Sequence, residues 1–211
     1  MRGIFISFEG IDKSGKTTQA VLFEELLKRE GYDVVLTREP GGTKIGEMIR
    51  GILKDTHHFG SITPMTELLL YVACRAQHTN EVIIPALERG AVVISDRFSD
   101  STMAYQGYGR GLDLRLLQRV NDAATGGLEP DVTILLDLPV GEAESRQLGR
   151  PDRLEREVVS FHQRVAEGFR AIAREHPGRI VIIDGRGSRE EVAICVSEVL
   201  TRKVEDYGKR I

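Results

Sequence analysis

Hydrophobic positions fall along this chain in two alternating rhythms. Short runs of consecutive apolar residues are separated by longer stretches in which apolar residues return every three or four positions. The first rhythm reads as strands buried on both faces, the second as helices with one face turned inward. Ile4-Phe5-Ile6-Ser7-Phe8 opens the series as a strand. Thr18 to Glu30 comes next as a helix with Val21, Leu22, Leu26 and Leu27 as its apolar positions and Gly31 as its stop. Val34 to Thr37 is a second strand. Lys44 to Lys54 is a helix in which Ile45, Met48, Ile49, Ile52 and Leu53 keep the i, i+3, i+4, i+7, i+8 spacing of an inward stripe. Thr63-Pro64 has the form of an N-cap with proline at the first helical position. The helix it opens runs toward Gly90, kinked or divided by Pro85.

Ala91 to Ser95, Val132 to Leu136 and Ile180 to Ile183 are three further strands. Asp113 to Ala124 is helical, and so is Glu155 to Glu175, with Val158, His162, Val165, Phe169 and Ile172 on one side. Ser188-x-x-Glu191 is a capping box for a last helix through Leu200. Five strands, each separated from the next by one or more helices, predict an α/β protein with a five-stranded parallel sheet covered on both faces. No internal repeat or linker divides the 211 residues, so a single domain, 1–211, is expected. In open sheets of this kind ligands bind beyond the carboxyl ends of the strands.

The loop after the first strand sharpens this picture. Gly10-Ile11-Asp12-Lys13-Ser14-Gly15-Lys16-Thr17-Thr18 fills the pattern G-x-x-x-x-G-K-[ST], a match that chance gives about one chain in a hundred of this size. Gly10 and Gly15 permit backbone angles that bring successive N–H groups toward phosphate oxygens, Lys16 neutralises the outer phosphates, and the Thr17 hydroxyl can ligate Mg²⁺. The helix that begins here favours anions at its N-terminus. Strand, loop, helix is the required order, so the fold is expected to be the three-layer α/β/α type of the phosphate-loop nucleotide-binding proteins.

Composition narrows the setting. With 41% hydrophobic and 29% charged residues the chain is that of a soluble globular protein. No apolar run is long enough to span a membrane. The chain starts with a strand and the phosphate loop, so no cleavable signal is expected and the cytoplasm is the expected location. A net charge of -3 gives no sign of a nucleic-acid-coating surface. The two cysteines, Cys74 and Cys195, lie in apolar helix-like stretches and are expected to be buried free thiols.

Polar residues gather at the predicted strand ends. Arg38-Glu39-Pro40-Gly41-Gly42 comes after the second strand and combines turn chemistry with an Arg-Glu pair at a ligand-facing position. Asp96 ends the third strand, where phosphate-loop proteins place the carboxylate that holds the Mg²⁺ hydration shell. Arg97 comes next and suits a bidentate phosphate clamp. Tyr71 and Arg75 lie four apart on one helix face, so ring and guanidinium could hold a flat base, although a Tyr within Leu68-Leu69-Leu70-Tyr71-Val72 is by pattern more often a core residue. Arg146, Arg150, Arg153 and Arg156 crowd a segment of little apolar content, with Gln147 and Leu148 inside it, which reads as a short mobile lid at about 146–156.

Taken in order, these residues resemble the thymidylate kinase family over nearly the whole chain. The resemblance rests on Phe8-Glu9-Gly10-Ile11-Asp12 leading into the phosphate loop, on Arg38-Glu39-Pro40-Gly41-Gly42-Thr43, and on Glu67-Leu68-Leu69-Leu70-Tyr71 with Arg75. It continues through Asp96-Arg97-Phe98, Ala104-Tyr105-Gln106-Gly107-Tyr108-Gly109-Arg110, Asn121, Gly127-Leu128-Glu129-Pro130-Asp131 and Asp152-Arg153-Leu154-Glu155. The bacterial and archaeal branches are the more similar ones. The resemblance implies transfer of a phosphoryl group from ATP to dTMP with Mg²⁺, and a homodimer. It implies that Ser14, Gly15, Lys16, Thr17 and Thr18 hold the ATP phosphates, with Gly10, Ile11, Asp12, Lys13 and Arg146 completing the nucleotide site. It places Asp96 near the metal beside Thr17, and Arg97 between acceptor and transferred phosphates. Asp12, Arg38, Glu39 and Pro40 would lie near the sugar and phosphate of dTMP, and Arg50 would contact its phosphate. Tyr71 would stack on thymine, Arg75 would bond its O4, Gln106 would read the base, and Thr102 and Tyr105 would line the pocket, with Tyr105 crowding a ribose 2′-hydroxyl. Catalysis would rest on Lys16, Arg97, Asp12, Glu39 and the lid arginines Arg150 and Arg153.

The chain departs from the family's commonest pattern with Tyr71 where Phe is usual, Thr102 where Ser or Asn is frequent, and a basic Lys13 inside the loop as well as arginines in the lid. Which of those cations stabilises the transition state is open from spacing. A kinase of another nucleoside monophosphate is the nearest alternative. A phosphate-loop ATPase or GTPase switch is the alternative from another class, against which stands the lack of any Asn-Lys-x-Asp run.

Overall fold

The computed structural model describes residues 2–146 and 149–208; Gln147 and Leu148 of the expected lid lie outside the described residues. Five strands form one parallel sheet: β1 (Phe5–Glu9), β2 (Val34–Arg38), β3 (Val92–Asp96), β4 (Val132–Asp137) and β5 (Ile180–Asp184). Their order is β2-β3-β1-β4-β5, so the strand that carries the phosphate loop is central. Phe5 pairs with Val93 on one side and Ile6 with Val132 on the other. All five residues of β1 are buried, so its apolar residues Phe5, Ile6 and Phe8 fall on both faces without strict alternation, and Ser7 and Glu9 are buried with them.

The helices are α1 (Lys16–Arg29), α2 (Lys44–Lys54), α3 (Pro64–His78), α4 (Ile84–Glu88), α5 (Ser99–Thr102), α6 (Leu114–Thr125), α7 (Val140–Ser145), α8 (Val159–Glu175) and α9 (Arg189–Gly208). On one face, Ile6, Phe8, Ile94 and Ile134 pack with Phe23 and Leu27 of α1 and Val196 and Leu200 of α9. On the other, Phe5 and Val93 meet Ile83, Leu87 and Phe98, while Leu135 and Leu138 meet Phe161, Val165 and Phe169 of α8. Helix, sheet, helix is the expected three-layer arrangement.

Two π-helical segments refine the reading. Thr79–Ile83 joins α3 to α4, so the division expected at Pro85 falls just upstream of it. A proline at 85 has no N–H to give to the carbonyl one turn back, and a wider turn absorbs the missing bond. Met103–Gly109 continues α5 as a second π-helical turn. Its Gly109 lies so close to α8 that a Cβ there would stand 2.7 Å from the Phe161 ring and 2.9 Å from Val165.

Several inward expectations are corrected. On α2 only Leu53 of the predicted stripe is buried; Ile45, Met48 and Ile52 are 51%, 73% and 45% exposed. The helix packs mainly on α3, which has exposed apolar residues of its own in Met65 and Leu69, and its stripe looks outward. Cys74 is buried as expected, but Cys195 is exposed on α9. Val158 is the exposed N-cap of α8, and Phe161 takes the core position instead. That helix starts at Val159, because Asp152 ties the preceding residues into a turn by accepting from the N–H groups of Leu154 and Glu155, both at 3.0 Å.

Candidate active site

The loop from Gly10 to Gly15 leaves the end of β1 and opens α1 at Lys16. Gly10 has φ 138°, and a Cβ there would stand 2.5 Å from the Leu136 carbonyl, so no other residue fits. Lys16 donates to the Ile11 carbonyl at 2.8 Å, its ammonium folded back over the loop. Burial and the nearby Arg97 charge pull its pKa down to about 8, against the opposing pull of Asp12, Asp96 and Glu9. The Ser14 hydroxyl is buried beside it without a hydrogen-bond partner. Thr17 donates its hydroxyl to Asp96 Oδ2, and Asp96 Oδ1 is buried and unpartnered. One hydroxyl and one carboxylate with an idle buried oxygen are a donor set that suits Mg²⁺, which takes few protein ligands and keeps waters and phosphate oxygens. Among the described residues no group of three or more His, Cys, Asp and Glu forms an all-protein cage.

Arg97 stands opposite the loop in a left-handed backbone conformation, φ 75°. Its guanidinium donates to the Gly10 carbonyl at 2.9 Å, to Ser101 at 3.0 Å and to Asp12 at 2.7 Å, and lies over the Tyr105 ring. The Tyr105 hydroxyl donates to the other Asp12 oxygen at 2.9 Å. Burial alone would raise the Asp12 pKa, but the Arg97 and Lys16 charges hold the carboxyl well below the usual range. Beneath this triad, Glu9 accepts from the Phe98 N–H at 2.7 Å and the Ser101 hydroxyl at 2.6 Å. Burial, then the Asp100 charge, push its pKa up to about 7.

These groups border a cleft of about 320 Å³ beyond the strand ends. Asp12, Lys16, Thr17, Asp96 and Arg97 line it together. Arg38, Glu39, Pro40, Arg50, Tyr71, Thr102, Tyr105 and Gln106 line it as well, Tyr105 directly against Asp12 and Arg97. Arg50 is steadied by donating to the Pro40 carbonyl at 2.8 Å, and exposed Arg38 pairs with Glu47 at 2.7 Å. A second cleft of about 520 Å³ runs along the other side of the loop, bordered by Ser14, Gly15, Thr18, Arg146, Gly185 and Ser188. Arg146 is held there by the Gly185 carbonyl at 3.0 Å. Lys13, Lys16 and Thr17 border both clefts, so the two meet at the phosphate loop.

Five expected site residues border neither cleft: Gly10 and the buried Ile11 of the loop, and Arg75, Arg153 and Arg150. Arg75 is 1% exposed and lies behind the cleft wall. It donates through Nε to Glu39 at 2.8 Å, with Nη2 at 2.8 Å from the same oxygen as an ion pair, and donates to Thr102 at 2.8 Å, to Asn121 at 2.6 Å and to the Phe98 carbonyl at 3.0 Å. Four donated bonds and an ion pair hold the guanidinium inside the protein, and it borders neither cleft, so a direct bond to a base is not what this geometry offers. Arg153 is 2% exposed, donating to the Leu53 carbonyl at 2.6 Å and pairing with Glu67 at 2.7 Å. It pins the C-terminal part of the expected lid segment to α2 and α3 and borders neither cleft. Arg150 is exposed and borders neither cleft. Conversely, Lys54 and Ser101 border the first cleft although no sequence pattern marks them, and Asp152 borders it from a motif that attaches no site role to it. Lys54 pairs with Asp152 at 2.8 Å, and Lys13 with Glu155 at 3.8 Å. The signal available for Lys54 is its position one turn after Arg50 on the same helix face.

A family model described as "Thymidylate kinase" matches residues 8–194. A thymidylate kinase of Caldanaerobacter subterraneus subsp. tengcongensis is 50% identical over 99% of this chain and 98% of its own length. One from Desulforudis audaxviator is 52% identical, covering 96% of this chain and 90% of its own. Among solved structures, a crystal structure of thymidylate kinase from Ehrlichia chaffeensis superposes with a TM-score of 0.77 at 38% identity, over 95% of this chain and 99% of that one. With two clefts meeting at a phosphate loop and relatives matching along its whole length, the chain belongs to the thymidylate kinase family.

Proposed function

We infer that this chain acts as its family does, phosphorylating dTMP to dTDP with ATP and Mg²⁺. The observation that carries the reading is the meeting of two clefts at Lys16 and Thr17, with Arg97 facing them. ATP lies in the cleft between the loop and Arg146, and dTMP in the cleft that Tyr71 and Gln106 line. Thr17 and Asp96 hold Mg²⁺, which when bound supplies charge neutralisation on the donor phosphates.

The acceptor phosphate carries its own ionised oxygen near neutral pH, so the transfer needs no strong general base. What it needs is alignment and positive charge where the transferred group passes, and Lys16 and Arg97 supply both. Asp12 is read as a positioning group: locked by Arg97 and Tyr105 as a carboxylate, it holds the arginine at the junction and faces the sugar. Tyr71, which lines the cleft, is the aromatic group assigned to the base, and Arg50 the guanidinium assigned to the acceptor phosphate. Among the described residues no helix is long and apolar enough to cross a membrane, and a cytoplasmic place of work is proposed. A homodimer is proposed as well, supported by the outward apolar stripe of Ile45, Met48 and Ile52 and by the exposed Met65 and Leu69 of α3.

The test is ADP release with ATP and Mg²⁺ against dTMP, dUMP, dCMP, dGMP, AMP and UMP. Turnover strongly favouring dTMP is expected. Preference for another monophosphate would overturn the base-pocket reading, and ADP release without any acceptor would favour a switch ATPase.

A further inference from the structure

Glu67 lies in the first turn of α3, only 1% exposed, outside the first cleft. Four donors converge on its carboxylate. Gln106 Nε2 reaches Oε1 at 2.9 Å, and Arg110 Nε reaches the same oxygen at 3.1 Å. Arg110 Nη2 reaches Oε2 at 3.0 Å, and Arg153 Nη1 reaches it at 2.7 Å. Burial by itself would favour a neutral Glu67, but the bonds from Arg110 and Gln106 outweigh it and keep the group ionised. An ionised carboxylate only accepts. The Gln106 amide can therefore meet Glu67 only through its nitrogen, and its oxygen is the atom left for the cleft that Gln106 borders.

We propose that Glu67 is a positioning residue for base selection: by fixing the Gln106 amide with its oxygen toward the cleft, it selects a pyrimidine whose ring nitrogen N3 carries a hydrogen. This rests on the reading of that cleft as the dTMP site. Thymine and uracil carry an N3–H that an amide oxygen accepts. Cytosine presents a bare N3 there, and two acceptors would face one another with neither paired. A glutamine not held by a carboxylate would turn its amide over at little cost and tell these rings apart poorly. The preference is thus built one layer behind the residue that touches the base.

The decisive variant is Glu67→Gln, assayed for kcat and KM with dTMP and dCMP. Arg110 and Arg153 still need an acceptor, so the new amide gives its oxygen to them and its nitrogen to Gln106. Gln106 then turns over and offers a donor to the cleft. The kcat/KM ratio of dTMP to dCMP should fall on the order of 10²-fold, from loss on one side and gain on the other. Arg110→Met removes one partner of Glu67 but leaves the bond to Gln106, and should keep the ratio within about threefold of wild type, well under the scale of one lost hydrogen bond. Equal shifts in both variants would overturn the proposal, since Glu67 would then act as general scaffolding. An unchanged ratio in a folded, active Glu67→Gln enzyme would overturn it too, leaving the kinase reading intact. A wild type that prefers dCMP would remove the dTMP-site reading itself. Should Glu67→Gln fail to fold, the wild type carries the test by ¹⁵N side-chain NMR, with the Gln106 amide assigned by its absence in Gln106→Met. Slow exchange of those N–H groups that persists with dTMP bound is expected; exchange as fast as that of surface glutamines overturns the proposal.

Discussion

Replacing Arg75 by methionine should lower the stability of the ligand-free protein by about 3–5 kcal/mol, the usual cost of breaking one side of a buried ion pair. The size comes from the groups left behind. Glu39 keeps only the His78 contact at 2.9 Å on Oε1, and Oε2 loses both contacts at 2.8 Å. Thr102, Asn121 and the Phe98 carbonyl lose a donor each, and Asn121 already has an unpartnered buried Nδ2. The guanidinium also lies 5.3 Å from the Phe98 ring centroid, a contact that methionine replaces with packing alone. Equilibrium urea unfolding of wild type, Arg75→Met, Glu39→Gln and the double variant makes the cycle. The double variant should be more stable than the sum of the singles predicts, by about 1–3 kcal/mol, because Glu39→Gln removes the stranded charge. A loss under about 1 kcal/mol in Arg75→Met, or strict additivity, would refute the argument, both being smaller than any broken buried pair gives. Normal stability with a raised KM for dTMP would instead assign Arg75 to the base.

Three further outcomes are expected. Arg97→Ala should cut kcat on the order of 10³-fold or more while far-UV circular dichroism stays native; wild-type-like turnover would refute its place at the transferred phosphate. Glu9 titrates at about 7 when folded against 4.5 as an ordinary carboxyl, so the folded state holds this proton more tightly. Its contribution to stability is complete below pH 4.5 and is lost as pH rises toward about 7. Glu9→Gln should flatten the urea midpoint across that window, and an unchanged pH slope would contradict it. Met48→Glu puts a charge into the exposed α2 stripe and should shift a dimer toward monomer in sedimentation equilibrium; a wild type that sediments as a monomer would count against the dimer.

The sheet was legible because burial on both faces leaves a run of mostly apolar residues, as in β1 and β4. Helix starts were legible where capping chemistry is local: Thr63 accepts from the Thr66 N–H, and Ser188 and Glu191 cap one another. The outward turn of α2 was hidden, since periodicity reports that a helix has an apolar face and not what covers it. The π-helical turn at Met103–Gly109 was hidden too, because its widening answers to close approach on α8 and to no local propensity. Within the site, the loop and the strand-end residues Asp96 and Arg97 could be read from spacing. The difference between Tyr71 in the cleft wall and Arg75 behind it could not, since one turn of helix carries both. The role of Glu67 depends on partners 39, 43 and 86 residues away, Gln106, Arg110 and Arg153, which only the assembled chain brings together.

The position of β1 has a consequence for how the chain folds. It is the first strand in sequence and the middle strand in space, with β3 and β4 as its neighbours. During synthesis the nucleotide-binding strand is made first but finds no partner until Val92 to Asp96 has emerged, and its second partner ends only at Asp137. Both of its strand pairings are of long sequence separation, the kind of contact that slows folding. The phosphate loop hangs from that strand, so nucleotide affinity arises only after most of the chain exists, and ATP binding by a nascent or truncated chain would report completion of the sheet.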